Sequence, residues 1–139
     1  MAGELDELDW TIIRMLKENS RRTNVAISAE LKVSEGMVRQ RIARLRSEGI
    51  VKRFTIETAS RGLKAIVEVN IDVNVLTGKI AKRIKNLNGV ERVYEISGET
   101  DIMVIVDVSN TVELNTTIEA IRALGNVKST KTRLILGEQ

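Results

Sequence analysis

The stretch SEGMVRQRIARLRSEGIV, residues 34–51, combines a helix start, an apolar seam and four arginines, and Lys52 and Arg53 follow directly. Ser34 is placed as an N-cap, its oxygen available to the free backbone donors of a first helical turn. Val38, Ile42 and Leu45 then recur at i, i+4 and i+7, which stacks them on one helical face. Projected around the helix, Gly36, Gln40, Ala43 and Ser47 fall opposite that seam. Arg39 and Arg44 flank it, and Arg41, Arg46, Lys52 and Arg53 add positive charge around the rim. Small residues permit close approach, and arginine and glutamine side chains pair with base edges, so such a helix suits a DNA major groove. On its own the pattern also describes a solvated amphipathic helix. What precedes it decides between the two.

Working outward toward the amino terminus, Leu8, Ile12 and Leu16, with Ile13 beside them, form another helical stripe ending near Asn19-Ser20. Asp6, Glu7 and Asp9 stand at its start, where the helix dipole favours negative charge. After a polar break at 20–24, a short second helix is predicted from Val25 to Leu31, burying Val25 or Ile27, Ala29 and Leu31. Only Lys32 and Val33 separate it from Ser34. Two short helices joined by so brief a turn, the second one cationic, form a helix-turn-helix. Gly49 closes the third helix, and Ile50–Glu57 (IVKRFTIE) reads as an extended segment forming a small wing.

Composition removes whole classes of chemistry. The chain has 139 residues, no cysteine and no histidine. Disulfides, thiol catalysis, histidine general acid–base work, Ser-His-Asp triads and the ordinary zinc sites are thereby excluded, so no metal, cofactor or enzyme activity is expected. The net charge of +3 says little as a total. Its placement says more, since the basic excess sits in 39–53 and residues 1–10 are acidic. No apolar run approaches a membrane span and no signal-peptide pattern is present, which predicts a soluble, cytoplasmic protein without membrane contact.

Near Glu57–Gly62 the period changes, and a linker is placed at 57–64, between a DNA-binding domain at 1–56 and a second domain at 65–139. Ala65, Val67, Val69, Ile71 and Val73 alternate with Glu68, Asn70, Asp72 and Asn74, as in a strand with one buried face. Ile80, Ile84 and Leu87 mark a helix closed by Asn88-Gly89. Val90–Ser97 and Ile102–Val108 read as strands joined by Gly98-Glu99-Thr100-Asp101. Leu114, Ile118, Ile121 and Leu124 mark a second helix, for which Asn110 and Glu113 resemble a capping box, and Val127–Leu136 is a final strand. The two halves echo each other, Ile71-Asp72-Val73 against Val106-Asp107-Val108 and Ile84–Val90 against Ile121–Val127. The repeat gives βαββαβ, a ferredoxin-like sheet with both helices on one side. The fold class is therefore α+β. Strand 102–108 is apolar on both sides, with Met103 and Ile105 opposite Ile102, Val104, Val106 and Val108. A homodimer that covers the second stripe is expected.

Several residues carry only packing expectations. Trp10, Phe54 and Tyr94 are read as packing residues, and Lys79, Lys82, Arg83 and Lys85 as the solvated face of a helix.

Leu5-Asp6, Asp9, Ile12-Ile13, Ser34, Val38, Arg39, Arg41-Ile42, Arg44-Leu45 and Gly49-Ile50 together resemble the Lrp/AsnC, or feast/famine, transcription regulators. The likeness covers essentially the whole chain. It departs at Lys32, where the family often has glycine in the turn between the second and third helices. The resemblance implies that the second domain is an ACT-like effector and oligomerisation domain and that dimers assemble into octamers. It also implies that an amino acid binds at a Gly-x-x-Asp loop between neighbouring dimers. By itself a hairpin tip such as Gly98–Asp101 is more often only a turn. Its free N–H groups suit a carboxylate, however, and Asp101 suits an ammonium. Gly98, Glu99, Thr100, Asp101, Met103, Thr130, Lys131 and Thr132 are therefore the effector candidates. On double-stranded DNA, Arg39, Gln40 and Arg44 are expected to read bases or adjacent phosphates, with Ser34, Arg41, Arg46, Lys52 and Arg53 anchoring phosphates. The competing readings are an architectural DNA binder that senses nothing and an enzyme of Lrp-like fold.

Overall fold

The computed structural model describes residues 3–139. The chain divides between Thr58 and Ala59 into two compact units. The first holds α1 (Glu7–Glu18), α2 (Asn24–Leu31) and α3 (Glu35–Ser47). Asp6 caps α1 by accepting from the Asp9 N–H, while the Asp9 carboxylate accepts from the Asp6 N–H, a reciprocal capping box. Ile12, Met15 and Leu16 of α1 meet Ile27 of α2 and Val38 of α3 in one small core, with Leu8, Leu31, Val33 and Ile42 around it. Of the two residues offered for the core of α2, Ile27 is the one buried, and Val25 is 66 % exposed. Ala29 is a correction: it lies at the surface, and its neighbour Ser28 is buried instead. An eight-residue helix turns one narrow line to the core, filled here by Ile27 and the half-buried Leu31.

The wing is reduced to a connecting segment. Residues 52–60 join no sheet. A hydrogen bond from Ser20 Oγ to the Thr55 carbonyl, 2.8 Å, ties this stretch back to the end of α1.

The second unit follows the expected order: β1 (Leu63–Ile71), α4 (Thr77–Lys85), β2 (Val90–Glu95), β3 (Ile102–Val108), α5 (Thr111–Arg122) and β4 (Val127–Leu134). The sheet order is β2-β3-β1-β4, with every neighbouring pair antiparallel. Alternate residues of β1 and β3 are fully buried. They form one core with Ile80 and Ile84 of α4 and Leu114, Ile118 and Ile121 of α5, so both helices cover the same side. Three strands are shorter than their apolar patterns suggest. β1 stops before Val73, β2 before Ile96 and β4 before Leu136, all of which are exposed beyond the last paired residues.

The turn after α4 requires its glycine. Gly89 has φ +87°, and a Cβ there would lie 2.8 Å from both Thr117 Oγ1 and Val108 Cγ1. Asn110 caps α5 by accepting from the Glu113 N–H, and Glu113 accepts in return from Ser109, one residue earlier than in a reciprocal box.

Candidate nucleic-acid and effector sites

The turn into α3 is made by Lys32, held in the left-handed region at φ 55°, ψ 42°, with the N–H groups of Lys32 and Val33 both donated to the Ser28 carbonyl. Ser34 then caps α3, its Oγ accepting from the Met37 N–H at 3.1 Å. Val38 and Leu45 are wholly buried, which fixes the roll of the helix. Gly36, Gln40, Ala43 and Ser47, the strip expected opposite the seam, are exposed, as are Arg39 and Arg46 beside it. Gly49, at φ +73°, ends the helix, and the Val51 N–H returns to the Leu45 carbonyl at 3.0 Å.

The cations of α3 are not equally free. Arg39 pairs with Glu35 one turn earlier at the surface. Arg46 lies over the Phe54 ring, 5.6 Å from its centroid. This is the use the structure gives to Phe54, which is exposed rather than packed; Trp10, at 58 % exposure, and Tyr94 are likewise at the surface. Lys52 and Arg53 are exposed. Arg41 and Arg44, two of the expected DNA contacts, are held in ion pairs at the start of α1. Arg41 donates to Asp6 and, at 3.0 Å, to Asp9 Oδ1, and Arg44 donates to Asp9 Oδ2. Asp9 is fully buried, so both guanidiniums are drawn toward α1.

These contacts determine the titration of the cluster. The Arg41 hydrogen bond, helped by the Asp9 N–H, holds Asp6 at about 2, below its usual 3.8. Burial alone would raise Asp9, but its bonds from Arg41, Asp6 and Arg44 outweigh that and lower it. Arg41 is correspondingly raised by Asp6 and Asp9.

In the second unit, Gly98 (φ +110°) and Glu99 form an exposed tip, with Thr100 and Asp101 half-buried. Asp101 Oδ2 accepts from the Ile71 N–H at 2.9 Å, and the Asp101 N–H donates to Asn70 Oδ1. One carboxylate oxygen therefore ties the hairpin tip to the end of β1. The strand registers sort the remaining candidates. Met103, Glu68 and Lys131 form one row across the side of the sheet away from the helices, and Asn70 pairs with Ser129. Thr130 and Thr132 pair with Val69 and Val67, whose side chains lie on the helix-covered side, and Thr130 Oγ1 accepts from Arg122 Nε. The three candidates on β4 thus divide between its two sides, with only Lys131 on the side of Met103. Among the described residues, no group of acidic side chains suited to a metal ion occurs.

Residues 5–52 match the family described as winged helix-turn-helix DNA-binding, and residues 64–138 match the Lrp/AsnC ligand binding domain. The chain is 43 % identical over 135 residues to the HTH-type transcriptional regulator LysM of Saccharolobus solfataricus, covering 96 % of this chain and 95 % of that one. The chain belongs to the Lrp/AsnC family. It is a helix-turn-helix, DNA-binding transcription regulator with that family's ligand-binding domain. A transcriptional regulator from Neisseria meningitidis, solved in complex with L-Met, shares the fold. Its TM-score is 0.83 at 23 % identity, over 97 % of this chain and 92 % of that one. A homocitrate synthase of Saccharolobus solfataricus is 35 % identical over 144 residues. That match spans 92 % of this chain but only 31 % of the enzyme, so it says nothing of catalysis here.

In this Lrp/AsnC chain, sequence reasoning missed three residues that the structure brings to the sites. Asp9 is marked in the sequence as a helix-dipole complement and as one of the residues that carry the family resemblance, not as a partner of α3. Its spacing of three from Asp6 was the available signal for a capping box. Asn70 and Glu68 were read only as the polar side of a strand, and nothing short of strand register places them beside Asp101 and Met103.

Proposed function

We propose that this regulator binds its DNA sites in a sequence-specific way through the exposed strip of α3, and that an amino acid held by the second unit sets that affinity. Gly36 and Ala43 permit close approach to base edges, Gln40 and Arg39 read them, and Ser34, Arg46, Lys52 and Arg53 anchor phosphates. The carrying observation is the left-handed turn at Lys32 followed by a capped helix whose exposed side is small, amide and cationic. Arg41 and Arg44 are left out of the contact set because Asp6 and Asp9 hold them.

The effector reading is supported by the ligand-binding family match and by the hairpin tip with its acidic and amide neighbours. Backbone N–H groups at Gly98–Thr100, with Lys131, suit an α-carboxylate; Asp101 and Glu68 suit an α-ammonium. Met103 lies beside Glu68, whereas Thr130 and Thr132 turn to the helix-covered side of β4 and are left out of the contact set. Among the described residues nothing closes over this exposed tip, which favours a site completed by a second copy. The side of the sheet away from the helices offers Ile66, Met103 and Ile105, half-buried among Lys64, Glu68, Arg92 and Arg133. A homodimer formed there, and the further assembly of dimers into an octamer, is the arrangement proposed. A regulator that acts on the chromosome works in the cytoplasm.

A thermal-shift screen of the full-length protein against the twenty amino acids tests the effector reading. At least one is expected to raise the melting temperature and to change the affinity for a duplex selected from a random pool. If none does either, the protein binds DNA without sensing and the architectural reading takes its place.

A further inference from the structure

We infer that Asp9 is a positioning residue that sets DNA specificity: an internal anion that keeps the Arg41 and Arg44 guanidiniums away from phosphate. The Asp9 side chain is buried and accepts three bonds: from Arg41 at 3.0 Å, from Arg44, and from the Asp6 N–H at 3.1 Å. Asp6 completes the cluster from the solvent side through its own bond to Arg41. Asp9 of α1, its cap residue Asp6 and two guanidiniums of α3 thus form a group without net charge, placed along the flank of the helix that meets DNA.

The arrangement leaves Arg44 available for release. Its side chain is 39 % exposed, on the shoulder of the Gly36–Gln40–Ala43–Ser47 strip, and its buried Nε has no hydrogen-bond partner among the described residues. A guanidinium in that position, once free, grips the backbone of any duplex, because phosphate contacts carry no sequence information. Every phosphate neutralised adds about 0.9 to the salt slope of binding, whatever the sequence. Held by Asp9, Arg44 and Arg41 add nothing to that sequence-blind term. The reading rests with the small and amide groups of the strip. Removing the Asp9 charge leaves two guanidiniums facing one exposed carboxylate, and the unpaired cation has no reason to remain beside the core.

The inference rests on α3 being the DNA-reading helix, and the experiment separates the two. Full-length wild type, Asp9→Asn, Arg44→Gln and Ala43→Glu are titrated with a mixed-sequence duplex and with a selected duplex across a salt series, with folding checked by circular dichroism. Asp9→Asn is expected to bind the mixed-sequence duplex several-fold more tightly. Its salt slope should steepen by about 0.9 and its selected-to-mixed ratio should fall. Arg44→Gln is expected to keep the wild-type slope. A slope reduced by about 0.9 in Arg44→Gln would mean that Arg44 already sits on a phosphate, and the inference is overturned. A folded Asp9→Asn protein with an unchanged slope overturns it equally. Should Asp9→Asn not fold, the Arg44→Gln slope decides alone. Ala43→Glu places a negative charge in the strip and is expected to abolish binding. If it does not, the reading of α3 itself fails, independently of Asp9.

Discussion

At the scale of single residues, two backbone positions show how local conformation and packing set opposite tolerances. Lys32 occupies left-handed space with a Cβ that the conformation disfavours, and glycine there relieves about 1 kcal/mol of strain, less its own entropy in the unfolded chain. Lys32→Gly is therefore expected to raise the urea midpoint of the first unit slightly, and a β-branched Lys32→Val to lower it. Gly89 is the reverse case. Alanine there must accept φ +87° and also press on Thr117 and Val108, so Gly89→Ala is expected to cost about 2–4 kcal/mol. Denaturant unfolding of the variant measures this. The left-handed turn was legible as the place where the family's glycine is replaced. The Gly89 contact was not, because the clash involves α5, some thirty residues away.

At the scale of elements, the cluster joining α1 to α3 gives the first unit a pH dependence of known sign. Asp6 and Asp9 both titrate lower in the folded protein than in the unfolded chain. Between the two sets of values the unfolded chain binds more protons, so stability rises with pH there and is complete above the unfolded value near 3.8. Melting of the first unit is expected to be flat above about pH 5 and to fall as pH drops from 4 toward 2. Asp9→Asn should weaken that acid loss. An acid limb identical in wild type and variant would show that the buried carboxylate is not the group titrating. The elements themselves were largely legible. Seam spacing gave α1 and α3, and alternation gave β1 and β3. Cap residues and end glycines gave most boundaries. The failures share one cause. Val73 and Leu136 continue an apolar pattern but protrude beyond the ends of β1 and β4, and pattern alone does not report what lies opposite.

At the scale of the whole molecule, the two sides of the sheet differ in what they ask for. The helix side is closed by α4 and α5 and is complete within one chain. The other side carries Ile66 directly across from Ile105, with Arg92 and Arg133 at the outer ends of the same row. An apolar centre bordered by arginines has the composition of the dimer interface proposed for this side. A two-fold arrangement would let each row meet its own copy and would bring two helix-turn-helix units into one particle. Ile105→Lys puts a charge at that centre without touching the helix-side core. It is expected to leave the circular dichroism spectrum unchanged and, by light scattering, to convert the proposed dimer to monomer. Affinity for a two-half-site duplex should fall by roughly a hundredfold or more, because the second half-site is no longer engaged intramolecularly. Affinity for a single half-site should be unaffected, since α3 and its supports lie in the other unit. A variant that remains dimeric would move the assembly surface elsewhere. One that becomes monomeric yet keeps full two-site affinity would show that the units bind DNA independently.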